Sequence, residues 1–90
     1  MSNRVRSHIF VDQRFAIRSQ AGLRSPNVAE CDYEKRVIRI PVDGDTRDEL
    51  DDILHESIHA GCPYLHEWIV AALARSLAGL LWRLNWRKDA

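Results

Sequence analysis

Ninety residues, of which 46% are apolar, suffice for a single small domain spanning 1–90 and leave no room for a second independent core. Thirteen Lys and Arg balance thirteen Asp and Glu, and a formal net charge of zero argues against an obligate polyanion-binding protein. Two cysteines, Cys31 and Cys62, and a polar, basic stretch over residues 1–7 with no apolar run behind it argue against a disulfide framework and a secretory leader; we expect free, buried thiols and a reducing cytoplasm.

The first part of the chain is basic: Arg4, Arg6, Arg14, Arg18 and Arg24 face one acid, Asp12. A solvated, arginine-rich strand face is the expectation, and nucleic acid is not the expected partner. Period-two patterning marks strands at His8-Ile9-Phe10-Val11 and Phe15-Ala16-Ile17, and residues 19–27, with Gly22, Ser25 and Pro26, read as a loop. Val28-Ala29-Glu30-Cys31 is the first arm of a hairpin that turns at Asp32-Tyr33-Glu34-Lys35. It returns along the clearest strand of the chain, Lys35 to Val42.

An acidic stretch from Asp43 to Glu56 follows, and Thr46-Arg47-Asp48-Glu49 within it is a capping box that starts a helix near Arg47. Leu50, Ile53, Leu54, Ser57 and Gly61 fall on one side of its projection, whereas His55 and His59 fall on the other, away from the core stripe. Gly61 and Pro63 end it. A second helix is expected from about Leu65, with a stripe of Leu65, Ile69, Leu73, Leu77, Leu80, Leu81 and Leu84. Its apolar run, Trp68 to Trp82, is shorter than the ~20 residues a bilayer demands and carries Arg75 at its middle, so a buried helix is expected and no membrane span. Trp68, Trp82 and Trp86 exceed what a small sheet can cover, which points to a homodimer through this C-terminal helix or to a partner surface. Strands followed by two helices make the fold class α+β, a small, mostly antiparallel sheet packed on the first helix.

The chemistry lies in His55-Glu56-Ser57-Ile58-His59, which reads H-E-x-x-H. Residues four apart share a helix face, so both imidazoles can hold one metal ion while Glu56 stands beside it as a base. Zinc suits nitrogen donors, and a catalytic site keeps a position open for water, whose pKa the metal lowers. Two ligands do not close such a site. For the third, the residues themselves leave Glu67, His66 and Cys62 open; the metzincin pattern would need His at Leu65 and Gly at Cys62, and neither is met.

Asp32-Tyr33, Ile38-Arg39-Ile40, Leu54-His55-Glu56-Ser57-Ile58-His59-Ala60 and Leu81-Trp82-Arg83-Leu84, in that order, resemble the very small zincin-type metallopeptidases. The compact gluzincin-like and ImmA/IrrE- or SprT-like domains are similar, most closely short proteins of phage or prophage type. The likeness covers residues 28–87. It implies His55 and His59 as zinc ligands, Glu56 as general base and Glu67 as third ligand, although gluzincins commonly place that ligand farther downstream. Zinc-dependent hydrolysis of a peptide or protein substrate follows, in a cytoplasm that would be the host's if the protein is phage-encoded. His66, ahead of Tyr64 and Tyr33, is the candidate donor to the developing oxyanion, and an extended substrate is expected to pair with the sheet edge. The competing expectation is a non-catalytic, zinc-stabilised module that binds a partner protein or nucleic acid through its Trp-rich helix and Arg-rich N-terminus.

Overall fold

The computed structural model describes residues 5–20, 30–41 and 46–86. Four strands, β1 (Ser7–Phe10), β2 (Gln13–Gln20), β3 (Glu30–Asp32) and β4 (Val37–Pro41), precede two helices, α1 (Arg47–Gly61) and α2 (Glu67–Arg83). The sheet order is β1-β2-β4-β3. The outer pairs, β1/β2 and β3/β4, are antiparallel and the central pair β2/β4 is parallel, so the expected α+β class with a mostly antiparallel sheet is what forms.

Alternation along the strands sends Phe15 and Ile38 to one face, where they are fully buried with Ala60 of α1; Phe10, Ile17, Cys31 and Ile40 pack around them. A small residue at Ala60 allows the helix to approach the sheet closely. The opposite face carries Ile9, Arg14 and Arg18, all exposed, and no described helix covers it. Arg14 donates to Ser7 Oγ across the β1/β2 pair at 3.0 Å, and Arg39 pairs with Glu30 at 3.2 Å, as cross-strand neighbours on a solvated face do. Arg4 and Arg24 lie outside the described residues.

Two turns depend on unusual backbone. Val11 begins the two-residue β1–β2 turn at φ 63°, and Arg36 closes the β3–β4 turn at φ 56°. Arg36 is held there by its own side chain, which donates from Nε to the Tyr33 carbonyl at 3.0 Å, reaches Gln13 Oε1, and lies over the rings of Tyr33 (4.8 Å) and Phe15 (5.7 Å). The backbone N–H of Lys35 also donates to the Asp32 carboxylate at 3.0 Å. Lys35 and Arg36 therefore belong to the turn and not to the strand that sequence pattern began at Lys35. At the other end, β2 runs to Gln20, two residues into the expected loop. The remainder of that loop, Val28 and Ala29 of the first hairpin arm, and Val42 lie outside the described residues.

α1 starts at Arg47 as its capping box predicts, with Thr46 Oγ1 accepting from the Glu49 N–H at 3.1 Å. Its end differs in kind from the expected glycine cap. Gly61 is still helical, and the cap is Cys62 at φ −135°, whose N–H donates to the Ile58 carbonyl at 2.7 Å. Pro63 explains this, because its ring excludes the residue before it from helical backbone. A Cβ at 61 would meet Val11 Cγ2 at 3.4 Å, about van der Waals contact, where the helix end passes the β1–β2 turn, so neither the cap nor this approach demands glycine.

α2 begins at Glu67, two residues later than expected, since the N–H of Leu65 is taken by the Cys62 carbonyl at 3.1 Å and His66 is extended. Val70, Ala74 and Ala78, spaced four apart, are buried against α1. Among the described residues α2 meets no strand, so the molecule is layered as sheet, α1, α2. Among the described residues no helix is long and apolar enough to cross a membrane.

Candidate metal centre

His55 and His59 stand one turn apart on α1 with ring centroids 4.8 Å apart, inclined at 62°. Contrary to a helix face turned to solvent, both rings are covered: 21% and 26% of their side-chain surfaces are exposed, because the start of α2 lies over them. The turn Cys62–His66 reverses the chain in five residues and delivers Glu67 as the first residue of α2. There the unpaired N–H groups of the helix favour a carboxylate. One oxygen, Oε2, lies 2.8 Å from His55 Nε2; the other, Oε1, lies 2.7 Å from His59 Nε2. Ligand atoms of these three residues all lie within 4.8 Å of one another.

Two Nε2 atoms and a carboxylate, converging from two helices, are a donor set that zinc accepts. Tetrahedral donors at about 2.0–2.1 Å from zinc stand roughly 3.3 Å apart, so each nitrogen-to-oxygen distance would have to widen by about half an ångström to admit the ion. Glu67, 66% exposed, has the freedom to do this. The same distances are those of hydrogen bonds between the carboxylate and the two imidazoles.

Glu56 is half-buried beside the pair. Burial is the main reason its pKa is raised above that of an ordinary carboxylate; the Glu67 and Asp52 carboxylates add to the rise, and His55 and His59 oppose it. Asp52, one turn before Glu56, is raised as well, by burial first and then by Asp51 and Asp48. From the sheet, Cys31 approaches the same region. Burial, then the Glu56 carboxylate, then Asp32 push its thiol up to about 11, so it is protonated at neutral pH.

The structure thus gathers His55, His59 and Glu67, and leaves the other two candidates for third ligand, His66 and Cys62, out of the donor set. His66 is the exposed N-cap of α2 and makes no side-chain cap hydrogen bond. Tyr64, in the turn, is largely exposed, and a hydrogen bond with the Cys62 side chain, followed by the charge of that group, raises its pKa. Tyr33 is engaged with Phe15, ring centroids 5.6 Å apart, and with Arg36. Both cysteines are free, though half-buried where full burial was expected. Sequence pattern missed the neighbourhood of Cys31 and Glu56. No spacing along the chain encodes it, because the hairpin register Cys31↔Ile38 and the docking of α1 create it.

No protein-family model, curated protein or solved structure matches the chain.

Proposed function

We propose that this chain is a minimal zincin-type zinc peptidase, and the observation that carries the reading is a single carboxylate, Glu67, facing the Nε2 atoms of both histidines of H-E-x-x-H. Zinc held by His55, His59 and Glu67 would polarise a peptide carbonyl and acidify water. Glu56 then takes a proton from the attacking water onto a carboxylate oxygen and returns it to the nitrogen of the leaving amine. Burial, which raises its pKa above that of an ordinary carboxylate, favours its taking up that proton. To His66, exposed next to Glu67, we assign the donation of a ring N–H to the oxyanion that develops on the carbonyl. β3, the edge strand of the sheet among the described residues and the one that carries Cys31 towards Glu56, offers backbone groups to an extended peptide. Free thiols at Cys31 and Cys62 suit the cytoplasm.

Glu56→Gln is the test. It keeps the shape of the side chain but removes the base, so hydrolysis of a generic peptide should fall by about two to four orders of magnitude while zinc content stays unchanged. Undiminished cleavage by the variant sinks the mechanism. Parallel zinc analysis of Glu67→Ala and His66→Ala should show loss only in the former; the reverse would move the third ligand to His66.

One observation favours a second reading. Trp68 and Trp86 are largely exposed on α2 and its end, as in a module that binds another protein and uses zinc only to join its helices. An inactive wild type with stoichiometric zinc would favour this alternative.

A further inference from the structure

The face of α1 that carries His55 and His59 continues towards the start of the helix as carboxylates. Asp48, Asp52 and Glu56, spaced four apart, form a row beside the two histidines. Burial increases along it: Asp48 is exposed, while Asp52 and Glu56 are half-buried. Two other elements flank this face, because β3 brings Cys31 near Glu56 on one side and α2 brings Glu67 to the histidines on the other.

Helix energetics account for the acids at the start of α1. Glu49 belongs to the capping box, and Asp48 meets the unpaired N–H groups of the first turn. They do not account for Asp52, which stands in the second turn, where that attraction has faded. Among the described residues Asp52 has no hydrogen bond or ion pair, and burial, then Asp51 and Asp48, make its charged form costly. A carboxylate kept there at a cost to the fold, one turn from the base of the reaction, is placed to meet a cation from outside.

We propose that Asp52 selects the substrate, pairing with a lysine or arginine side chain that lies within two residues of the scissile bond. This rests on the peptidase reading. Four residues of helix separate Asp52 from Glu56 by about 6 Å, close to the span of two extended residues at about 3.3 Å each. A peptide whose scissile carbonyl faces Glu56 therefore brings a neighbouring side chain over Asp52. A cation there offsets the repulsion from Asp51, Asp48 and Glu49, which within the chain His55 opposes. Because Asp52 is half-buried, the pair is screened less than one on open surface.

Uncharged peptides of one composition, each with a single arginine or a glutamine in its place, walked along the sequence, are the probes. Zinc-loaded Glu56→Gln should bind the best-placed arginine peptide about tenfold more tightly than its glutamine counterpart, the scale of one charged hydrogen bond. The wild type should cleave it with a KM lower by a similar factor and the same kcat. Asp52→Asn should abolish the preference in both measurements without loss of zinc, and Asp52→Glu should retain it. Equal affinity for the paired peptides overturns the proposal, as does a preference that survives Asp52→Asn. A fall in kcat shared by both peptides, with the preference intact, also overturns it and makes Asp52 a support for His55. Cleavage indifferent to arginine would sink the cation site and keep the peptidase; Asp52-dependent binding by a wild type that cleaves nothing would keep the cation site and sink the peptidase.

Discussion

Glu67 divides its two oxygens between two imidazoles, and that division sets what the site is before any metal arrives. Zinc held as proposed would have to enter between the carboxylate and the two Nε2 atoms, so loading would part groups that now contact each other. Nearby, Asp52 pays for its surroundings: burial, then Asp51 and Asp48, raise its pKa, so the folded state holds its proton more firmly than the unfolded chain. The stabilisation from that proton is complete below the ordinary carboxylate pKa and is lost as pH rises through the higher folded value. Asp52→Asn should therefore raise the melting temperature at neutral pH and flatten its dependence across that window. An unchanged profile would show that Asp52 is as well solvated folded as unfolded. The histidine pair and Glu56 were legible in the sequence because helical periodicity is local. Glu67 was reached through resemblance, since the turn that returns it to α1 leaves no periodic mark.

Each helix is specified at its start by a different device. Thr46 gives α1 a side-chain cap worth roughly 1 kcal/mol, whereas α2 has no such bond from His66 and places a carboxylate, Glu67, in its first turn. This explains why the start of α1 was read to the residue and that of α2 was read two residues early: a capping box is a sequence signature, and an extended N-cap without a capping side chain is not. Proline at 63 moved the cap from Gly61 to Cys62 for an equally local reason. Inside α2, Gly79 lies under Arg47, whose Nη2 would be 2.8 Å from a Cβ built there. The guanidinium ends a flexible side chain and can swing away, while alanine in a helix interior gains up to about 1 kcal/mol over glycine. Gly79→Ala should thus raise the melting temperature by several degrees. A fall would mean that Arg47 is a fixed clamp between the helices.

At the scale of the molecule, class and element order were legible because strand and helix periods differ; the parallel pairing of β2 with β4 was not, because pairing across the chain has no local signal. The layering of sheet, α1 and α2 likewise depends on which faces meet. Zinc held as proposed would join the two helical layers, and an ion present at a thousand times its dissociation constant adds about 4 kcal/mol to the folded state. A chelator should lower the melting temperature yet leave a cooperative transition, since His55 and His59 retain Glu67 as partner. An equal temperature with saturating zinc would show that the native site holds no metal. Among the described residues α2 touches α1 and no strand, so local opening of α2 is expected to leave the sheet packed. An opening that parted α2 from α1 would take Glu67 from the histidines and expose Val70, Ala74 and Ala78, while Phe15, Ile38 and Ala60 would keep their contacts with one another. Amide exchange is the measurement: zinc held as proposed should slow the amides of α2 while those of β2 and β4 keep the same rates, because such an ion would latch α2 to a layer that was already closed.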